Sequence, residues 1–317
     1  MPKPLLSLLL ALCGAWLVSA FSAHLDPYYL DVLIGVGINI VLAVSLNLIA
    51  GHTGQFSLGH AGFMAIGAYA ATAVSLFLGP LLIGDFPTPG GLAESTLFFA
   101  ALVAGGAAAA VAGLFVGIPS LRLRGDYLAL VTLGFGEIIR VLLQNFELLG
   151  GALGLNGIPP YTTPFWVIAA AALTVFVVGC LVNSTYGLGF RAVRDDEIAA
   201  AAAGLNPSRY KVVAFTVGTF FAGIAGALFG HFKLTITPAG FDFTRSIEIV
   251  VIVILGGLGN TLGVILAAVL LTLLPEFLRP VAEYRLVLYA ALLIAIMLLR
   301  PQGLFNFSVR RPAAPRV

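Results

Sequence analysis

The sequence predicts an all-α, polytopic membrane protein of about ten transmembrane helices, a single domain over residues 1–317 with one polar helix held outside the bilayer. Three observations carry this. Of the 317 residues 60% are hydrophobic and 9% charged, against roughly 25% charged in soluble domains, and the mean hydropathy is +1.06. The apolar residues fall in runs, most of which reach the roughly 20 residues of helix a bilayer requires. Cations gather in alternate links between the runs, the pattern that orients a membrane chain. A net charge of +2 is too small to indicate nucleic acid, and Cys13 and Cys180 sit in apolar runs without ligand spacing, so neither a disulfide framework nor a metal site is indicated.

The first run is 5–21, behind Lys3; Val18-Ser19-Ala20 resembles a signal-peptide cleavage region, but a retained helix gives the later spans a consistent topology. The second span is 28–50. Asp31 lies near its outer end, where water reaches it, and Asn39 and Asn47, eight residues apart, fall on roughly one face. Their amides either bond neighbouring helices or line a path. The segment 51–63, GHTGQFSLGHAGF, sets glycines among polar His52, Thr53, Gln55, Ser57 and His60. Such backbone is tolerated at membrane depth only inside protein or beside water. It reads either as a discontinuous helix whose freed amides approach a polar substrate, or as a tight turn followed by small residues for close helix contact. His52 and His60 lack the spacing and the glutamate of a helical zinc site.

The third span runs to about 83 and the fourth covers 95–118, followed by a basic loop at 119–126. The fifth, 127–149, carries Glu137 and Arg140, which share a helix face and can neutralise each other. Glu248 in the eighth span lacks a local partner on this reading and is expected to join them; the group serves either a solute path or helix packing. A Gly/Pro-rich loop at 150–164 leads to the sixth span at 165–182, the seventh is 211–229, and the short eighth, 245–258, ends at the GGLGN turn, 256–260. The ninth is 261–278 and the tenth 286–299.

Between the sixth and seventh spans lies a polar island, 187–211, with Arg191, Arg194, Arg209 and Lys211, the acids Asp195, Asp196 and Glu197, five alanines, Gly204 and the turn Asn206-Pro207. A short helix is expected, capped by Asp195 or Asp196, its acids complementing the macrodipole and Gly204 taking a left-handed C′ position, with Ser208 capping the next helix. Such a helix is gripped by a soluble partner or is simply a solvated cationic loop. Ten spans from an inside N-terminus place Lys3, Arg122, Arg124, Arg191, Arg194, Arg209, Lys211, Arg300, Arg310, Arg311 and Arg316 inside, and only Lys233, Arg245, Arg279 and Arg285 outside. That supports cytoplasmic termini and a cytoplasmic island. Five spans in each half would set the halves in opposite orientation, an inverted repeat. No GxxxxGK[ST] element is present, so any ATP is bound by another chain.

Taken in order, GINIVLAVSLNLIAGHTGQFSLGHAGFMAIGAYAA (37–71), LRLRGDYLALVTLGFGEIIR (121–140), GFRAVRDDEIAAAAAGLNP (189–207), GGLGN and RPQGLF (300–305) resemble the membrane permease subunit of branched-chain amino acid ABC importers, the M-type subunit in particular. The resemblance covers nearly all of the chain after the first span. It implies a bacterial inner-membrane importer for branched-chain amino acids or a related small solute, with a periplasmic solute-binding protein, two ATPase subunits, a second, H-type permease chain and no cofactor in this one. It further implies that 191–204 forms a coupling helix, with Arg191, Arg194, Asp195, Asp196, Glu197 and Gly204 at the ATPase contact. The sequence departs from the general importer loop in that Ile198 follows Glu197 and Gly204 comes seven residues on, which shifts the helix register. Asn39, Asn47, Gln55, Ser57, His60, Glu137, Arg140 and Glu248 are the candidates for the translocation path. Two other classes remain open from the residues: an ion-coupled secondary transporter titrating Glu137, Glu248 or Asp31, and an intramembrane enzyme built on His52 and His60. Within the family, urea or short amides are alternative solutes.

Overall fold

The computed structural model describes residues 3–21, 25–80, 91–120 and 126–279, with positions 284, 287, 290, 291, 294 and 304. Its helices are α1 (Lys3–Phe21), α2 (Pro27–Asn47), α3 (His60–Ala73), α4 (Leu92–Ser120), α5 (Asp126–Asn145), α6 (Pro164–Val182), α7 (Thr185–Asp195), α8 (Glu197–Ala202), α9 (Pro207–Lys233), α10 (Phe243–Gly256) and α11 (Thr261–Phe277). A helix stands at each of the first nine expected spans. Among the described residues six helices are long and apolar enough to cross a membrane: α2 extended to His52, α3 extended to Leu78, α4, α5, α6 and α9. The expected tenth span lies largely outside the described residues, as do Arg122, Arg124, Arg285, Arg300, Arg310, Arg311 and Arg316.

Several boundaries move for local reasons. The seventh span was expected from Lys211, yet α9 begins at Pro207, because the Asn206 side chain accepts from the Arg209 amide and Pro207 occupies the first turn, where its missing N–H costs nothing. Asn206, not Ser208, is the cap. The fifth was expected to reach residue 149, but α5 stops at Asn145, and a 3-10 turn at Glu147–Leu149 ends on Gly150 at φ 80°.

The centre of the bundle is α2, packed by α6, α9, α10 and α11. Val41, Leu42, Ala43, Val44, Leu46, Leu48 and Ile49 are fully buried. Nearly consecutive burial means that protein surrounds the helix on all sides. In lipid the apolar surroundings give no hydrophobic drive to helix association, so close packing supplies the contact energy. Small residues make this possible where α9 crosses α3 and α4. A side chain at Gly67 would strike Gly223, one at Gly226 would strike the Met64 carbonyl, and one at Gly105 would come within 2.7 Å of the Gly67 carbonyl.

The loops gather at two ends, as the alternating topology requires. At one end the island, residues 51–59 and the GGLGN turn meet, and the Leu304 amide donates to the Leu255 carbonyl at 2.8 Å. At the far end the 146–163 and 234–242 links are joined by a two-residue bridge in which Leu155 and Ile236 exchange amide–carbonyl bonds of 2.9 and 3.0 Å. Beside it His231 donates from Nδ1 to the Ala227 carbonyl (2.8 Å), bonds Ser75 Oγ through Nε2 (2.7 Å) and stacks on Tyr161. Burial, assisted by the Glu94 carboxylate, pushes the Tyr161 phenol above its usual pKa.

Candidate functional site

The island folds as two helices rather than one. Helix α7 turns Gly187, Gly189, Phe190 and Val193 inward and ends at Asp195; Asp196 is extended (φ −159°, ψ 110°) and α8 restarts at Glu197. The break has a cause: from that conformation the Asp196 carboxylate accepts from the amides of Ile198 (2.8 Å) and Ala199 (3.0 Å), which it could not reach inside a continuous helix. Asp195 therefore caps nothing and pairs with Arg194 at 2.9 Å on the exposed surface, a contact worth little by itself. At the other end Gly204 is left-handed (φ 86°), its amide bonding the Ala201 carbonyl and that of Leu205 the Ala200 carbonyl, the paired pattern that closes a helix on glycine. Ile198 stands out on α8 with 67% of its surface exposed.

The island is wired to the bundle by its charges. Glu197 pairs with Lys211 Nζ at 2.8 Å, and the Lys211 side chain is only 9% exposed. The Lys211 carbonyl in turn accepts from Gln55 Nε2 (3.2 Å), which also donates to Thr53 Oγ1 (2.6 Å). Arg194 Nη1 donates to the Gly51 carbonyl (3.3 Å), and its aliphatic stem covers Gly54, where a side-chain carbon would lie 3.1 Å from Arg194 Cγ. Gly51 meets the GGLGN turn, whose Gly259 amide donates to Asn47 Oδ1 at 2.9 Å. Arg194 thus sits over the junction of two turns, one ending α2 and the other joining α10 to α11.

The end of α2 is shaped by its own polar residues. Thr53 Oγ1 donates to the Ile49 carbonyl (2.7 Å), and the Gln55 amide bonds the same carbonyl (3.1 Å), so the last turn widens over Leu48–His52 before Gly54, at φ 70°, turns the chain. Residues 54–59 are non-helical, and α3 begins at His60. Each reading of this segment holds in part: the helix is broken, but its freed groups meet protein, and the small residues that follow make the close helix contacts, Gly62 on Gly136 and Gly67 on Gly223. The Leu58 amide donates to Thr132 Oγ1 (3.0 Å), and that of Ala61 to Ser246 Oγ (3.1 Å). Ser45 Oγ lies 2.9 Å from both the Leu42 carbonyl and His60 Nε2. Among the described residues five buried side-chain atoms, Asn47 Nδ2, His52 Nε2, Gln55 Oε1, Ser57 Oγ and His60 Nδ1, have no hydrogen-bond partner, and all lie on this break or beside it.

At the far end of α2 an open cleft of about 590 Å³ is lined by Asp31, Asn39, Lys233, Arg245, Glu276 and Arg279, among others. Asn39 both lines it and bonds across helices, donating to Thr272 Oγ1 (2.9 Å) and accepting from Arg245 Nη2 (3.1 Å). Glu248 has a local partner after all: Arg245 Nη1 at 2.8 Å, one turn earlier on α10. It does not join Glu137, which pairs with Arg140 at 2.7 Å on α5. The candidates for a path therefore separate. Asn39 and Glu248 belong to the cleft end, Asn47, Gln55, Ser57 and His60 to the buried break, and Glu137 with Arg140 to the outer face of α5. Sequence reasoning missed Arg245, although its spacing of three from Glu248 was available. It also missed Lys211 as a buried partner, for which no local signal exists. Replacing Arg194 with alanine should remove about 1 kcal/mol of restraint at Gly51 and speed amide hydrogen exchange at residues 53–58 roughly fivefold; unchanged exchange there would mean that the contact restrains nothing.

Six helices long and apolar enough to cross a membrane, and an exposed elbow bonded to the central helix, are the arrangement among the described residues. The chain belongs to the family of the branched-chain amino acid transport system permease component, whose model matches residues 28–297. It is 38% identical over 246 residues to the high-affinity branched-chain amino acid transport system permease protein LivM of Salmonella typhimurium, and equally to LivM of Escherichia coli K12. Each match covers 67% of this chain and 58% of the relative, so a little over half the length of those relatives is spanned. It is also 30% identical over 159 residues to the permease protein LivH of Salmonella typhimurium, covering 48% of each chain. No solved structure matches it.

Proposed function

We propose that this chain is the membrane permease subunit of an ATP-driven importer for branched-chain amino acids or chemically similar small solutes. In this reading it crosses the bacterial inner membrane ten times as two inverted halves, with both termini and the island in the cytoplasm. It works with a second permease subunit of the LivH kind, two ATPase subunits that bind the ATP, and a periplasmic solute-binding protein. The observation that carries the reading is the seating of the island: Glu197 on buried Lys211, and Arg194 on the junction of the two turns. A solvated loop that merely satisfied a charge rule would need neither contact. The exposed Ile198 of α8 supplies the apolar contact for an ATPase groove.

Closure of the ATPase pair displaces the island, and the displacement enters α2 at Gly51 and Gln55, α9 at Lys211, and the α10–α11 turn at Gly259. Because α2 is one helix from Pro27 through its widened turn at His52, movement at the island end reaches the cleft where Asp31 and Asn39 lie. Differential contacts of this kind let ATP binding bias one bundle arrangement over another. The ion-coupled alternative finds Glu137 and Glu248 already neutralised by Arg140 and Arg245. In membrane vesicles, uptake should need ATP and the partner ATPases and should survive collapse of the ion gradients. Uptake by this chain alone, abolished by an ionophore, would overturn the proposal.

A further inference from the structure

Two spans are the least buried of the six, and they differ in chemistry. In α6 most residues are half-buried, Leu173 is exposed and no residue is charged, so its outer surface suits acyl chains. In α5, the least apolar of the six, exposed residues recur from Tyr127 to Asn145, and it carries Glu137 and Arg140. Those two side chains remain 38% and 28% exposed. Glu137 lies ten residues past Tyr127, about 15 Å along the axis and so near the middle of a hydrocarbon core roughly 30 Å thick. Intramembrane charges face protein or water, not lipid.

A second feature on the same helix points the same way. Leu130, Gly134, Ile138 and Val141 form an exposed stripe at spacings of four, four and three. Among the described residues a side-chain carbon at Gly134 would meet nothing within 4 Å, as at Gly179 near the end of α6 but here in mid-span, and unlike the glycines of α3, α4 and α9 that are needed for contacts inside the chain. An outward glycine in mid-span admits the backbone of another helix. The occupant must span the membrane, because the stripe runs through its depth, and it must bring polar groups or water to the level of Glu137.

We infer that the outward face of α5 is the seam with the second permease subunit, with Gly134 at the closest approach and the Glu137–Arg140 pair in a hydrated path between the two chains. This rests on the permease reading above. The test uses the complete transporter in lipid nanodiscs, with Cys13 and Cys180 replaced by serine. A photo-crosslinking amino acid at Ile138 or Val141 should join this chain to the other permease subunit, whereas the same group at Leu173 on α6 should not. A water-soluble thiol reagent should modify Glu137→Cys at least roughly tenfold faster than Leu173→Cys, because only the former faces water. Adducts to lipid alone, to a second copy of this chain or to an ATPase would overturn the seam, as would equal thiol reactivity at the two sites. If the parent assembly still takes up solute with ATP when the crosslinks fail, the seam is wrong and the permease reading stands. If crosslinks form but uptake is independent of ATP, the permease reading fails alone.

Discussion

A variant with Asp195→Asn, Asp196→Ala and Glu197→Gln together is expected to assemble in the membrane and to let the ATPases hydrolyse ATP, yet to import solute at a small fraction of the normal rate. The Asp196 cap contributes about 1 kcal/mol. The Glu197–Lys211 pair is half-buried, so its loss falls between the 0–1 kcal/mol of a surface pair and the 3–5 kcal/mol of a buried one, about 2 kcal/mol. Together roughly 3 kcal/mol of restraint on the elbow disappears, which lowers the population in the seated conformation on the order of a hundredfold. The measurement is the ratio of solute imported to ATP hydrolysed in reconstituted vesicles. Asp196→Ala alone should cost less than the triple variant, because it leaves Glu197 on Lys211. Full coupling in the triple variant would show that force does not enter through this elbow.

The second large effect is structural. Gly226→Leu drives a branched side chain into the α3 backbone at Met64, in a crossing that has no rotamer or solvent to absorb it. Overpacking of a core usually costs about 1–3 kcal/mol, and here the obstacle is backbone on a neighbouring helix, so the cost lies at the top of that range or beyond it. Little folded protein should be recovered in detergent, and the thermal transition of whatever folds should fall by roughly 5–10 °C, taking about 2–4 °C for each kcal/mol. Gly179→Ala on α6, where an added carbon meets nothing within 4 Å, is the comparison and should leave the transition unchanged. Equal behaviour of the two variants would mean that the α3–α9 crossing is looser than described.

The legible parts of this protein were those governed by local periodicity and composition. Nine expected spans fall on helices because apolar run length, Pro at helix starts and Gly or Asn at helix ends act within a few residues. The Glu137–Arg140 pair was legible for the same reason, since a spacing of three on a helix already places the two groups together. Local reasoning also misled where two local solutions compete. Asn206 and Ser208 are both competent caps, and Pro207 decides between them by fixing the first turn. The island was expected as one helix because its alanines propagate well, but Asp196 gains more by leaving the helix to bond two free amides.

By itself, then, the chain's order of residues determined that it is a multi-pass helical membrane protein, where most helices run, and that a charged elbow interrupts them. Only the tertiary structure decided what the elbow rests on: Lys211 beneath Glu197, and Gly51 and Gly259 beneath Arg194, are brought together from positions 14 to more than 140 residues away. It also decided that Gln55, Ser57 and His60 are buried in the break while Asn39 opens on a cleft. The reason is that periodicity tells which residues share a face of one helix, whereas what that face meets depends on how closely glycines such as Gly67, Gly223 and Gly226 let other helices approach.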